Sequence, residues 1–103
     1  MSSFDPRVTP IRGGVAARSL EGVIAADRYL DPTPMQVRLP VANLRQGPER
    51  SAELANQLLF GELFDVIETT DDWAWGQARR DGYVGWAPLE ALSASILTRA
   101  FME

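Results

Sequence analysis

The segment WAWGQARRDGYVGW, residues 73–86, contains all three tryptophans and one of the two tyrosines of the chain. Aromatic side chains in this number can form a platform for a ligand, or they can fill the core of a small β-barrel. Because successive side chains of a strand point to opposite faces, the two roles can be assigned residue by residue. The small residues Ala74 and Ala78 are expected on the inner face of their strand, which leaves Trp75 facing the surface, as we also expect for Tyr83. Val84 and Trp86 are expected in the core.

Residue types that usually carry out catalysis or bind metals are missing from the sequence. The chain has no cysteine and no histidine, which excludes disulfides, thiol nucleophiles and the commonest transition-metal ligand. Glu68, Asp71 and Asp72 lack the ligand spacing and central glycine of a calcium loop, which favours a solvated turn. We therefore expect no catalytic residue, no metal site and no cofactor, and predict that this chain is not itself an enzyme.

Composition and charge indicate one ordinary globular domain. The 103 residues are 46% hydrophobic and 23% charged, and the length fits a single domain. A net charge of −4 argues against nucleic acid as a partner, since phosphate binding depends on basic patches. Neither a signal peptide nor a run of 18 apolar residues is present, so the sequence predicts a cytoplasmic protein without a membrane partner.

An N-terminal arm and a short helix are expected before the barrel. Prolines and the Gly13-Gly14 pair predict an extended arm over residues 5–14. Good helix formers followed by Gly22 predict a short helix over residues 15–22. Residues 23–30 are predicted as a strand that the following prolines end.

From Met35 onward the apolar residues recur with the two-residue period of β-strands. Residues 43–57 are predicted as a long polar loop, and tight turns are predicted at Asp71-Asp72 and Asp81-Gly82. The predicted strands are residues 35–41, 58–70, 73–80 and 83–88. Short strands joined by closely spaced turns predict a mainly β fold, a small antiparallel barrel or sandwich.

The last residues return to a helical spacing. Leu92, Ile96 and Phe101 share one face of a helix predicted from Leu89 onward. This helix could close its own barrel, or it could dock on another chain or domain. The sequence is thus divided into an N-terminal arm and short helix (1–34), a barrel (35–92) and a C-terminal helical extension (93–103).

Several short motifs follow one another in a recognisable order within residues 35–92. They are Leu44-Arg45 with Gly47-Pro48, then Gln57, Leu59 and Gly61-Glu62, then Trp73 and Trp75, then Asp81 to Trp86. This order resembles a bacterial SH3 (SH3b) domain, and more narrowly the SH3b domain at the N-terminus of NlpC-type cysteine peptidases. The resemblance implies an SH3-like antiparallel barrel. Together with the segments predicted from the spacing, the expected fold is mainly β, a small SH3-like barrel with an N-terminal arm and short helix and a C-terminal helix.

NlpC-type enzymes cleave γ-D-glutamyl bonds in cell-wall peptides, so the resemblance implies a domain that binds or gates murein peptide for such a peptidase. In relatives that act on recycled wall peptides, this domain helps to select a free N-terminal L-alanine. Glu62 and Tyr83 would then accept hydrogen bonds from the ammonium group, while Trp73 and Trp75 would line the ligand site. The family's catalytic cysteine and histidine are absent, so a peptidase domain would have to act in cis or in trans.

Three different parts or partners could cover the aromatic residues expected at the surface. The N-terminal arm, with Phe4 and Tyr29, could fold over them; a peptidase domain could pack there; or a peptide or another protein could bind there. The alternative function is a structural or assembly module. Such a module would hold a protein partner through the barrel surface and through the helix residues Leu92, Ile96 and Phe101.

Overall fold

The computed structural model describes residues 5–96, which form ten β-strands in two sheets. Two single turns of 3₁₀ helix, Arg18–Leu20 and Leu89–Ala91, are the helical segments within this range. The strands are β1 (Ile11–Arg12), β2 (Val15–Ala17), β3 (Arg28–Leu30), β4 (Thr33–Val37), β5 (Val41–Arg45), β6 (Leu54–Leu59), β7 (Leu63–Thr70), β8 (Trp73–Ala78), β9 (Val84–Pro88) and β10 (Leu92–Ser93).

Seven of these strands form an antiparallel sheet in the order β10-β4-β7-β8-β9-β5-β6. Every strand of this sheet contributes at least one side chain to a single apolar core, whose largest fully buried members are Val37, Leu44, Leu58 and Phe64. The sheet therefore encloses its own core, and the prediction of a mainly β fold is confirmed. The other sheet, β1-β2-β3, is built entirely from residues before Asp31.

Strand alternation assigns the two faces of the barrel wall. On β7, Phe64 and Val66 belong to the barrel core, whereas Ile67 belongs to a second apolar cluster on the outer face. A register shift between Val66 and Glu68 leaves Ile67 as an extra residue in the ladder, as in a β-bulge. On β8 the small residues Ala74 and Ala78 face the core, as the sequence predicts. The wall thus has a filled inner face and an apolar outer face.

A hairpin lies where a long polar loop was predicted. Strands β5 and β6 pair antiparallel, with Val41 opposite Leu59 and Leu44 opposite Asn56. Ala42, Leu44 and Leu58 are buried in the barrel core. The loop prediction for residues 43–57 is therefore wrong outside the connection at 46–53, because alternating buried residues outweigh the polarity of their neighbours.

The C-terminal helix predicted from Leu89 is wrong for the residues that the structure describes. The chain makes one 3₁₀ turn and then the two-residue strand β10, in which Leu92 pairs with Val37 of β4. Beyond it, the hydroxyl of Ser93 accepts from the backbone N–H of Ser95 at 3.1 Å, a local bond that competes with helix formation. The remainder of the predicted helix, including Phe101, lies outside the described residues.

The short N-terminal helix is also wrong. Residues 15–17 form β2, which pairs parallel to β3, and helical structure is limited to the 3₁₀ turn that follows. Ladder bonds on both sides of β2 outweigh the helix propensity of its alanines. Gly13 and Gly14 both adopt positive φ in the β1–β2 turn, which glycine tolerates at little steric cost.

Within residues 5–96 no helix has the length and apolar character needed to cross a bilayer.

Candidate ligand-binding groove

Trp75 and Trp86 lie side by side on the outer face of the barrel. They are register partners on β8 and β9, and both are almost completely buried, with 3% and 4% of their surface exposed. Their cover is the N-terminal part of the chain, which contributes Ala17 and Leu30 to the same apolar cluster. The N-terminal part of the chain therefore covers most of this surface. Trp86 was predicted to lie in the barrel core, and that assignment is wrong because the interior position next to it belongs to Ala87.

Tyr29 and Phe4 were expected to provide this cover. The Tyr29 hydroxyl instead donates to the carbonyl of Ile24 at 2.5 Å and accepts from the backbone N–H of Ala26 at 3.0 Å. It therefore closes the loop before β3, and Phe4 lies outside the described residues. The tyrosine predicted to face the surface, Tyr83, is half-buried against the barrel core.

A groove of about 310 Å³ remains open where the N-terminal segment (residues 5–17) meets the barrel. We call it the aromatic groove. Tyr83 and the small exposed parts of Trp75 and Trp86 line it, together with cationic side chains from the N-terminal segment and an aliphatic side chain from β6. The side chains that matter to its chemistry are Arg7, Arg12, Leu54, Trp75, Tyr83 and Trp86.

Arg12 is held by both aromatic and ionic contacts. Its guanidinium carbon lies 4.7 Å from the centroid of the Trp86 ring and 5.3 Å from that of Trp75. Both distances are within the range of cation–π attraction. Its Nη2 also donates to Glu68 Oε1 at 2.6 Å, and Arg28 Nη2 lies 3.5 Å from the other oxygen of the same carboxylate. Glu68, which sequence patterns assigned to a solvated acidic turn, therefore links two arginines of the N-terminal sheet to β7.

The backbone of Arg7 is attached to the barrel beside the groove. Its carbonyl accepts from the N–H of Val84 at 2.8 Å, which attaches the N-terminal segment to the first residue of β9. Gln77 Nε2 donates to the carbonyl of Val8 at 3.2 Å and strengthens the same attachment. The side chain of Arg7 is exposed and pairs with Asp5 at 2.8 Å. This side-chain hydrogen bond raises the pKa of Arg7 and lowers that of Asp5, so both groups are charged at neutral pH.

Only part of the predicted ligand site is assembled by the fold. Trp75 and Tyr83 share the aromatic groove. Trp73 instead lines a separate depression beside Pro48 and Pro88. Glu62 lies in the β6–β7 turn, where its Oε1 accepts from the backbone N–H of Leu59 at 2.8 Å and its Oε2 pairs with Arg80. The structure therefore satisfies the Glu62 carboxylate locally and places it apart from the residues that line the groove.

The predicted docking residues are similarly divided. Leu92 packs in the barrel core, Ile96 is half-buried, and Phe101 lies outside the described residues. The shared helical face on which this prediction depended is absent from the described part of the segment. An exposed apolar patch occurs elsewhere, where Val41 and Leu59 are opposite each other in the β5–β6 ladder and Phe60 follows.

Sequence reasoning missed Arg7, Arg12 and Leu54 as groove residues. Arg7 and Arg12 occur in an arm broken by proline and glycine, with no periodicity to indicate which way they point. Leu54 was assigned to a loop, although its spacing from Leu58 is compatible with a strand. No metal-binding cluster of three acidic residues forms within residues 5–96, and Asp71 and Asp72 are exposed at a turn.

Residues 44–92 match the family model described as the bacterial dipeptidyl-peptidase SH3 domain. This match supports a bacterial SH3 domain of a peptidase-associated type, in agreement with the broader resemblance predicted from the motif order. It includes most of the barrel and three groove-lining aromatic residues, Trp75, Tyr83 and Trp86, whereas Arg7 and Arg12 lie before it. A search of curated proteins found no match.

Proposed function

We propose that this chain is a non-catalytic SH3b module that binds or gates murein peptide for an NlpC-type peptidase. The observation that carries the proposal is the aromatic groove, which joins Trp75, Trp86 and Tyr83 beside two arginines. Ligand sites are typically concave and mostly apolar, with a few polar groups that fix orientation. The match to a peptidase-associated SH3 domain supports the same function.

The size of the groove suits a short extended peptide. Its volume of about 310 Å³ lies at the lower end of the range for small-ligand sites, which begins at roughly 300 Å³. Leu54 on one wall offers aliphatic contact, while the Tyr83 phenol offers an acceptor for the ammonium group of an N-terminal alanine. Glu62 is not required in this arrangement because Arg80 already neutralises it.

Hydrolysis is assigned to another domain or chain. A cysteine peptidase needs a thiolate nucleophile and a base, and the sequence contains neither cysteine nor histidine. We therefore propose that the aromatic groove forms one wall of a substrate pocket, and that a peptidase domain in cis or in trans supplies the reacting groups. The module would restrict which peptide ends can enter, without contacting the scissile bond.

Calorimetric titration of the purified chain with L-Ala-γ-D-Glu tests the proposal. Leu54→Ala should weaken binding several-fold, because Leu54 is 48% exposed and lines the groove. Leu59→Ala is the matched control, since Leu59 lies on the same strand with 45% exposure but does not line the groove. Tyr83→Ala should abolish measurable binding. Equal effects of the two leucine variants, or no binding by the parent protein at millimolar peptide, would contradict this function.

The second candidate function is an assembly module that holds a protein partner through the barrel surface. It is favoured by the exposed apolar patch of Val41, Leu59 and Phe60, the last with 60% of its surface exposed. Adjacent exposed apolar side chains mark interaction surfaces more often than isolated ones. Sedimentation of the parent protein and of Phe60→Ser distinguishes this function, which predicts an oligomer or complex that the substitution disrupts.

A further inference from the structure

We infer that the aromatic groove binds a carboxylate group of its ligand, with Arg12 and Arg7 as the recognising side chains. This inference depends on the proposed function, because it takes the ligand to be an acidic peptide. In addition, the groove prefers a negatively charged group on the ligand, because these two arginines bind it. The ligand class is an extended peptide with at least one free carboxylate, such as the α-carboxylate of a γ-linked glutamate.

The groove is lined by arginines and by no acidic side chain among the described residues. Its charged lining side chains are Arg7 and Arg12, and none of the described residues that line it carries a carboxylate. With their ion-pair partners counted, three guanidinium groups (Arg7, Arg12 and Arg28) face two carboxylates (Asp5 and Glu68), which leaves a local positive charge on a chain with a net charge of −4. Complementary charge gives selectivity and faster association, which favours an anionic group on the ligand.

Arg12 is held in place while most of its hydrogen-bond donors stay available. Its contacts with the Trp86 and Trp75 rings and its bond to Glu68 restrain the guanidinium, so less conformational entropy is lost when a ligand binds. Of its five N–H donors, the described contacts occupy one, which is the bond from Nη2 to Glu68. Glu68 is shared with Arg28, so two guanidinium groups face one carboxylate. This cluster has an excess positive charge that a second carboxylate would balance.

Arg7 provides an exchangeable second contact. Its partner Asp5 is two residues away in the chain, and both side chains are well exposed to solvent. An exposed pair of this kind contributes little to stability, so a ligand carboxylate can replace Asp5 at low cost. The backbone carbonyl of Arg7 remains bonded to Val84, which keeps the side chain at the mouth of the groove during the exchange.

The test compares L-Ala-γ-D-Glu with its diamide, in which both carboxylates are converted to carboxamides. Calorimetric titration should give a dissociation constant about tenfold lower for the free acid, the usual scale for one charge-assisted hydrogen bond. Arg12→Gln and Arg7→Gln should each remove most of this preference. Arg7→Gln is informative even if Arg12→Gln unfolds, because Arg7 is exposed.

Arg79→Gln is the control variant. It changes the net charge by the same amount, but Arg79 pairs with Asp65 on the barrel wall and does not line the groove. It should keep the preference for the free acid. Equal affinity for acid and diamide would overturn the carboxylate assignment while leaving peptide binding intact. If neither peptide binds to the folded parent protein, the proposed function and the carboxylate assignment are both wrong.

Discussion

The guanidinium carbon of Arg12 lies 4.7 Å from the centroid of the Trp86 ring, which joins the N-terminal segment to strand β9 of the barrel. Arg12 precedes the residues matched by the SH3 family model, whereas Trp86 lies within them. A residue outside the matched region therefore stabilises the outer face of the barrel. The same contact orients Arg12 toward the aromatic groove.

Arg12→Ala should lower the free energy of unfolding by about 1–2 kcal/mol, because it removes a cation–π contact and the bond to Glu68. Urea denaturation followed by tryptophan fluorescence measures this change. Arg50→Ala is the control, since Arg50 is highly exposed and its nearest contact to Glu90 is 3.9 Å. A loss of stability in Arg50→Ala as large as that in Arg12→Ala would contradict the stabilising role of the stack.

Gly76→Ala should destabilise the barrel by at least about 2 kcal/mol. A Cβ atom at Gly76 would overlap the carbonyl oxygen of Asp65 and lie 2.9 Å from its carbonyl carbon and 3.0 Å from Phe64 Cε2. Backbone of a paired strand cannot move aside without breaking the β7–β8 ladder, so the overlap is costly. Thermal and urea denaturation measure the loss.

Gly47→Ala is the matched control for this substitution. The nearest atom to a Cβ at Gly47 is Ala52 Cβ at 3.4 Å, an ordinary van der Waals distance. Its stability should therefore remain within about 0.5 kcal/mol of the parent protein. If Gly76→Ala were as stable as Gly47→Ala, the close approach of β7 to β8 would be contradicted.

Two phenylalanines four positions apart provide a direct test of the barrel core. Phe64 is fully buried in the inner cluster, whereas Phe60 is largely exposed. Phe64→Ala should cost about 3–5 kcal/mol through lost burial and a residual cavity. Phe60→Ala should change the free energy of unfolding by less than about 0.5 kcal/mol. Similar losses in the two variants, measured by urea denaturation, would show that the faces of this segment are assigned incorrectly.

Residues with a strong local period were predictable from the sequence. Ala74 and Ala78 were expected on the inner face, and Trp75 on the outer face, because alternation along a strand is a property of the backbone. The turn at Asp81-Gly82 was also predictable, since Gly82 has φ of 80° and glycine adopts positive φ at little steric cost. These features depend on neighbours in the sequence and need no knowledge of the tertiary fold.

Features that depend on distant partners were not predictable. The sequence 89–96 has a helical spacing, but pairing of Leu92 with Val37 draws it into the sheet. Trp86 is apolar and was assigned to the barrel interior, yet the small Ala87 occupies that interior face. The groove likewise forms only when residues 5–17 return to β9, so no local pattern could associate Arg7 with Tyr83. In each case a contact between distant parts of the chain outweighs the local preference.

The pKa of Asp5 should lie below its ordinary value of 3.8 in the folded protein. Asp5 accepts hydrogen bonds from Arg7 Nη2 at 2.8 Å and from the backbone N–H of Arg7 at 3.0 Å, and both bonds favour the charged carboxylate. A lowered pKa in the folded state means that this interaction stabilises the segment above pH 3.8. Its contribution is lost as the pH falls through the pKa of the folded state.

The carboxyl ¹³C chemical shift of Asp5, followed by NMR as a function of pH, measures this pKa directly. Arg7→Gln should return the titration toward 3.8, because it removes the side-chain hydrogen bonds that are the largest cause of the shift. Arg18→Gln should leave it unchanged, since Arg18 pairs with Asp31 and Glu21 instead. A midpoint at or above 3.8 in the parent protein would mean that Arg7 does not hold Asp5 in solution. Arg7 would then be available to a ligand carboxylate without any exchange of partners.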